Sequence, residues 1–265
     1  MAMPLRDRVT RLRGQGRWAE AIELAGDDPL LRADLYNEQA LFAGAADARK
    51  AATRELDRVE ARLEAERGRV LHARFLSRRD REDPRELAHF EASLAAARRA
   101  RDPLLIGWAR FWIGIVLQVI RDDHAMALPH FRAAYRAGRE HGSGLLASYA
   151  IRHLAFAWET TGRHADAWRG FQESLELRRA ERFWPGVAAA LLTLAEIADE
   201  HGRHAEARRL LAEGRRTAKR AGATAFRAGQ VAQSFKEARR AWRAPTPQRR
   251  DGTALRAGAR TQGRR

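Results

Sequence analysis

Nine histidines and the absence of any cysteine set the ligand chemistry available to this chain of 265 residues. His124, His164 and His204 recur at intervals of 40, and His201 stands three residues before His204. Imidazole nitrogens can hold a transition ion. In an earlier copy of the surrounding motif, however, Trp18 takes the histidine's place, and indole is no ligand. Equivalent positions of neighbouring helix pairs also lie about 10 Å apart, too far for one ion with bonds of about 2.1 Å. His201-Gly-Arg-His204 lacks the spacing of the zinc proteases. The expectation is a packing or capping role for these histidines, with no metal and no cofactor. Without cysteine there is no disulfide framework, zinc ribbon or thiol nucleophile.

Carboxylates are abundant, but no pair stands apart from arginines at helical spacing. No phosphate loop, Gly-x-Gly-x-x-Gly fingerprint or Gly-x-Ser-x-Gly elbow is present. The chain is therefore expected not to be an enzyme. Its cations are unevenly placed. The net charge is +16, and from Arg203 onward 18 cationic residues face four acidic ones, a net of +14. Of the 50 cationic residues 47 are arginine, which reflects a GC-rich coding bias as much as a selected surface. Arg208, Arg209, Arg215, Arg216, Lys219 and Arg220 form the candidate basic contact region, suited to an anionic polymer.

The elements that must position these groups announce themselves by repetition. Gly162-Arg-His-Ala-Asp-Ala-Trp168 returns, at the same interval as the histidines, as Gly202-Arg-His-Ala-Glu-Ala-Arg208. One interval earlier stands Asp122-Asp-His-Ala-Met-Ala-Leu128. Phe131, Phe171 and Leu211 follow in the same register. Gly16-Arg-Trp-Ala-Glu-Ala-Ile22 is a further copy, and a fainter one, offset by 41, brings Phe90 into register with Phe131. A fixed period of this length marks a repeat architecture. Each unit reads as two helices: Leu146, Ala150, Leu154 and Ala157 make an apolar stripe ending at Gly162, and Ala167, Phe171 and Leu175 make the next. No stretch alternates with period two for long enough to suggest a strand. The expected class is all-α, a solenoid of helix-turn-helix repeats.

Leu154-Ala155-x-x-Trp158-x-x-x-Gly162-Arg-His-x-x-Ala167-x-x-x-Phe171 resembles a tetratricopeptide repeat, in a lengthened form whose period is that of the histidines. Asp122 departs from the pattern where the turn glycine belongs, and Ala198 stands where an aromatic is usual. The resemblance implies a right-handed α-solenoid over residues 1–222, irregular in 1–68 and regular in 69–222. The stretch Ala46 to Arg81 reads as long charged helix, either continuous or broken near Gly68, with Leu56, Val59, Leu63, Val70, Leu71 and Phe75 on one side. Phe226, Val231, Phe235 and Trp242 suggest a capping helix over 223–243, and 244–265 reads as a basic disordered tail. Leu104 to Ile120 is apolar but contains Arg110 and Gln118 and reads as a buried helix. With no secretory segment visible, the chain is expected to be cytoplasmic, with no membrane partner.

Tetratricopeptide arrays bind peptides along the first helices of their units. Helical phase puts Trp112, Val116, Tyr149, Arg152, His153, Phe156 and Glu196 on that candidate groove, a mixture common in protein contacts; the competing reading of Trp112 and Phe156 is core. The resemblance thus implies a non-catalytic adaptor or scaffold for a protein or peptide partner. A regulator touching nucleic acid through the basic C-terminal region is the alternative.

Overall fold

The computed structural model describes residues 3–78 and 81–223. Eleven α-helices follow one another there, with no strand among the described residues: α1 (Leu5–Gly14), α2 (Trp18–Leu24), α3 (Pro29–Ala43), α4 (Ala46–Arg78), α5 (Pro84–Ala100), α6 (Pro103–Ile115, continued by a π-helical turn over Val116–Ile120), α7 (His124–Glu140), α8 (Gly144–Thr160), α9 (His164–Ala180), α10 (Trp184–Glu200) and α11 (His204–Arg220). Each helix packs against the next, and the arrangement is an all-α, solenoid-like one. The expected cap at 223–243 and tail at 244–265 lie outside the described residues.

The regularity is finer than the period of the sequence motif. Helices α7 to α11 are all of one length and begin at His124, Gly144, His164, Trp184 and His204, so that each helix occupies half a period. A left-handed residue precedes or closes each one: Asp122, Gly142, Gly162, Arg182, Gly202 and Gly222 all have positive φ. The next amide then reaches back five residues, as in Arg163 N–H to Trp158 O at 2.8 Å and Arg203 N–H to Ala198 O at 2.8 Å. These bonds satisfy end carbonyls that would otherwise be orphaned. Asp122, a departure by residue type, keeps the glycine conformation at φ 55°. The break before α10 falls at Arg182, which takes the left-handed conformation at φ 53° without being glycine.

Arg101 is also left-handed, and the step from Arg101 to Asp122 is one residue longer than the steps between the turns that follow. The extra residue sits in the π-helical turn, which widens the helix where an insertion must be absorbed. There Asp123 N–H reaches back six residues, to Leu117 O at 2.8 Å. The offset of 41 between Phe90 and Phe131 thus has a local structural cause.

Two rows of helices result. In one, α4 touches α6 and α6 touches α8, and Arg152 of α8 donates to Thr193 Oγ1 of α10 at 3.0 Å. In the other, Tyr135 of α7 donates to Glu173 of α9 at 2.7 Å, and Arg179 of α9 bonds Glu213 of α11 at 2.8 Å. Phe111, Phe131 and Leu154 fill one core between the rows and Phe156, Phe171 and Leu191 the next. By length and composition Pro103–Ile120 could cross a membrane, but half of it is buried, and it packs in this core.

Helix α4 is continuous over 33 residues, with Gly68 in its interior. A Cβ at Gly68 would come within 2.6 Å of the Phe90 ring, so the glycine admits a side chain rather than breaking the helix. The buried face of α4 is Ala48, Ala51, Ala52, Glu55, Ala61, Gly68 and His72. Leu56, Leu63 and Val70, read as part of one apolar side of the helix, are exposed. Small residues win the packed face because they let helix backbones approach. Ser93 Oγ of α5 donates to the Ala61 carbonyl of α4 at 2.8 Å across that seam.

Candidate functional site

The seven residues expected to line a groove do fall on one row of helices, but the protein uses most of them itself. Val116 and Phe156 are buried; Phe156 meets Phe171 edge-on at 4.8 Å. Trp112 is half-buried, stacked on Phe90 at 5.6 Å. Two residues of α4 cover it: His72, with ring centroids 5.7 Å apart, and Arg69, whose guanidinium lies 5.5 Å from the indole. Glu196 is half-buried on α10 and attracts the Arg152 charge. The aromatic groove is therefore largely internal, and only the edges of Trp112, Tyr149, Arg152, His153 and Glu196 reach its surface.

Around Tyr149 the structure gathers charge in a largely buried place. The Arg178 guanidinium lies 4.9 Å from the Tyr149 ring, and its Nη1 donates to the Gly186 carbonyl at 2.9 Å. Arg178 is 1% exposed, and burial pulls its pKa down to about 10. Burial and the neighbouring Arg178 charge bring Arg152 down to about 9. Both remain cationic at neutral pH. His153, stacked on Phe131 at 4.8 Å, bonds the Gln118 side chain of the π-helical turn. Burial, reinforced by Arg152 and Arg178, holds it well below the usual histidine range, so it is neutral. Sequence reasoning missed Arg178. Its signal was present: Gly138 and Ala218 hold the equivalent positions one period away on either side.

The six residues of the expected basic region all lie exposed on α11. Among the described residues only Arg209 of these six has an acidic partner, Glu206, at 3.8 Å. The opposite face of α11, with Ala207, Gly214, Thr217 and Ala218, is buried. Trp18, His124, His164 and His204 each open a helix, the shared position expected of them. His124 pairs there with Asp122 at 2.7 Å and His204 with Asp199 at 2.7 Å.

A second grouping was not foreseen. Glu159, at the end of α8 and 2% exposed, brings Oε1 within 3.0 Å of His164 Nδ1 and 2.8 Å of His201 Nε2. The two histidines are not repeat-equivalent. His164 opens α9 and His201 follows α10, so a distance argument about equivalent positions does not reach them. The signal was His201 itself, a ligand-type residue where the preceding unit has Thr161.

Fold and side chains together define an all-α, solenoid-like protein with an aromatic–arginine core and one strongly basic helix face. No known protein family matches the sequence, and no curated protein matches it.

Proposed function

We propose that this chain is a non-catalytic, cytoplasmic adaptor of tetratricopeptide type whose partner is a protein presenting an amphipathic helix. One observation carries the reading. Leu56, Leu63 and Val70 stand seven residues apart along α4 and are 48%, 49% and 68% exposed. Seven-residue spacing keeps them on one side of the helix, and half-buried Val59 extends the stripe, as in the seam between two packed helices. A monomer gains nothing from holding three large aliphatic side chains in water, whereas a partner helix would bury them. Arg67–Glu64 at 2.5 Å and Arg69–Glu66 at 2.5 Å flank the stripe with its own ion pairs, leaving an apolar seam with a charged border.

The test is affinity capture with the full chain and with Leu56→Ser/Leu63→Ser/Val70→Ser. Because these side chains are exposed, the variant should keep its thermal unfolding midpoint while losing a stoichiometric captured protein. Retention of that protein by the folded variant sinks the assignment. Phe156→Ala is unsuitable for this purpose, since it opens a core rather than a groove.

The exposed cations of α11 favour a second reading, contact with nucleic acid. Changing Arg208, Arg209, Arg215, Arg216, Lys219 and Arg220 to Gln should then abolish electrophoretic shifts. Binding by the native chain should weaken with salt by about 0.9 log units per log unit for each phosphate contacted. Salt-independent shifts would rule it out.

A further inference from the structure

We propose that Glu159, His164 and His201 form a binding site for a borderline divalent transition ion, of which Zn(II) is the representative. Glu159 Oε1 lies 3.0 Å from His164 Nδ1 and 2.8 Å from His201 Nε2, and the three donor atoms all lie within 4.8 Å of one another. The imidazole centroids are 4.6 Å apart and the rings are inclined at 65°, so they converge on the carboxylate from different directions. Two imidazole nitrogens and one carboxylate oxygen are a donor set that suits zinc and its neighbours rather than calcium or magnesium. A tetrahedral shell with bonds of about 2.1 Å separates its ligands by about 3.4 Å. Admitting the ion therefore asks each nitrogen to move out by about half an ångström.

The fold permits that movement and favours a cation. His164 and His201 keep side-chain exposures of 50% and 31%, so an ion can reach the site and water can complete its shell. Glu159 and His201 stand at the C-terminal ends of α8 and α10, whose two negative poles outnumber the positive pole of α9, which His164 opens. The repeat supplies an internal comparison. Asp199 and His204 reproduce the Glu159–His164 pair in the next unit, at 2.7 Å, but both are exposed and no third ligand-type side chain converges on them among the described residues. Among the described residues, only at Glu159 does the following unit contribute a histidine. A bound ion would tie the α8–α9 turn to the α10–α11 turn, clamping two consecutive units together.

The probe is Co(II), then Zn(II), added to untagged full-length protein stripped with chelator. One Co(II) per chain should bind with the visible absorption of a low-coordinate site, be displaced by Zn(II), and raise the thermal unfolding midpoint. His164→Ala and His201→Ala should each weaken binding at least about tenfold, whereas His204→Ala should leave it unchanged. Both ligand histidines are partly exposed, so these variants should fold, and far-UV circular dichroism checks that they do. Absence of stoichiometric binding overturns the proposal. So does binding that survives both His164→Ala and His201→Ala, or that falls equally in His204→Ala.

Discussion

His153 shows how a side chain of ordinary chemistry is turned into structure. Its ring stacks on Phe131, its Nδ1 engages Gln118, and the cations Arg152 and Arg178, with His72 on α4, oppose a further charge. In the unfolded chain it titrates near pH 6.5; in the native protein it holds out well below that. Above pH 6.5 both states are neutral and the residue imposes no pH dependence. As pH falls through 6.5 the unfolded state takes up a proton that the native state refuses, so stability is lost on the acid side, by at most about 1.4 kcal/mol per pH unit. His124 and His130, also lowered by burial, slope the same way. The contribution of His153 is isolated as the difference between the native chain and His153→Phe. Urea midpoints measured from pH 7 to pH 5 should fall more steeply for the native chain. Parallel curves would mean that His153 accepts its proton inside the folded protein.

At the scale of elements, α4 is where pattern and packing part company. Gly68 is in a helix interior, where alanine is worth about 1 kcal/mol more. Yet a Cβ there would lie 2.6–2.9 Å from three atoms of the Phe90 ring. That ring is fully buried and is held by its stack on Trp112 at 5.6 Å. Overpacking of this kind costs about 1–3 kcal/mol, so Gly68→Ala should lower the urea midpoint despite its better helix propensity. A stabilised variant would show that the Phe90–Trp112 stack yields. The same helix marks the limit of what was legible. Several turns were readable because a local device repeated in type closes them, Gly162 and Gly202 above all, so the all-α repeat class followed from sequence. The buried face of α4 was not, because its alanines and Gly68 carry little hydrophobic weight beside Leu56, Leu63 and Val70. Close backbone approach is a property of pairs of helices, which one helix's periodicity does not contain. The groove suffered similarly: phase put Trp112 and Phe156 on one row of helices, but whether Arg69 and His72 of α4 or a partner would cover Trp112 is settled only in three dimensions. The Glu159 grouping joins equivalent turns of two successive units and needed their stacking to appear.

At the scale of the whole molecule, nearest-neighbour packing determines how the protein should come apart. Helices contact chiefly the next in sequence, so stability accumulates from units and their interfaces rather than from a single centre. The apolar clusters follow this division. Val9, Ala21, Ile22, Ala25 and Leu35 form one around α1–α3, separate from the cluster of Phe156, Phe171 and Leu191 that joins α8 to α10. Phe171 is 2% exposed and holds α9 against both neighbours, so Phe171→Ala should cost about 3–5 kcal/mol locally. In amide hydrogen exchange, α1 and α2, short and resting on few buried residues, should open first in the native chain, with α8–α10 the slowest. Phe171→Ala should accelerate exchange across α8–α11 while α1–α3 keep their native protection. Equal loss of protection along the whole chain would instead mean that the long helix α4 couples the two ends into one cooperative unit. That result would weaken the case for α4 as an adaptor's open seam, since a helix needed to transmit stability through both its ends has little freedom to accommodate a partner along its side.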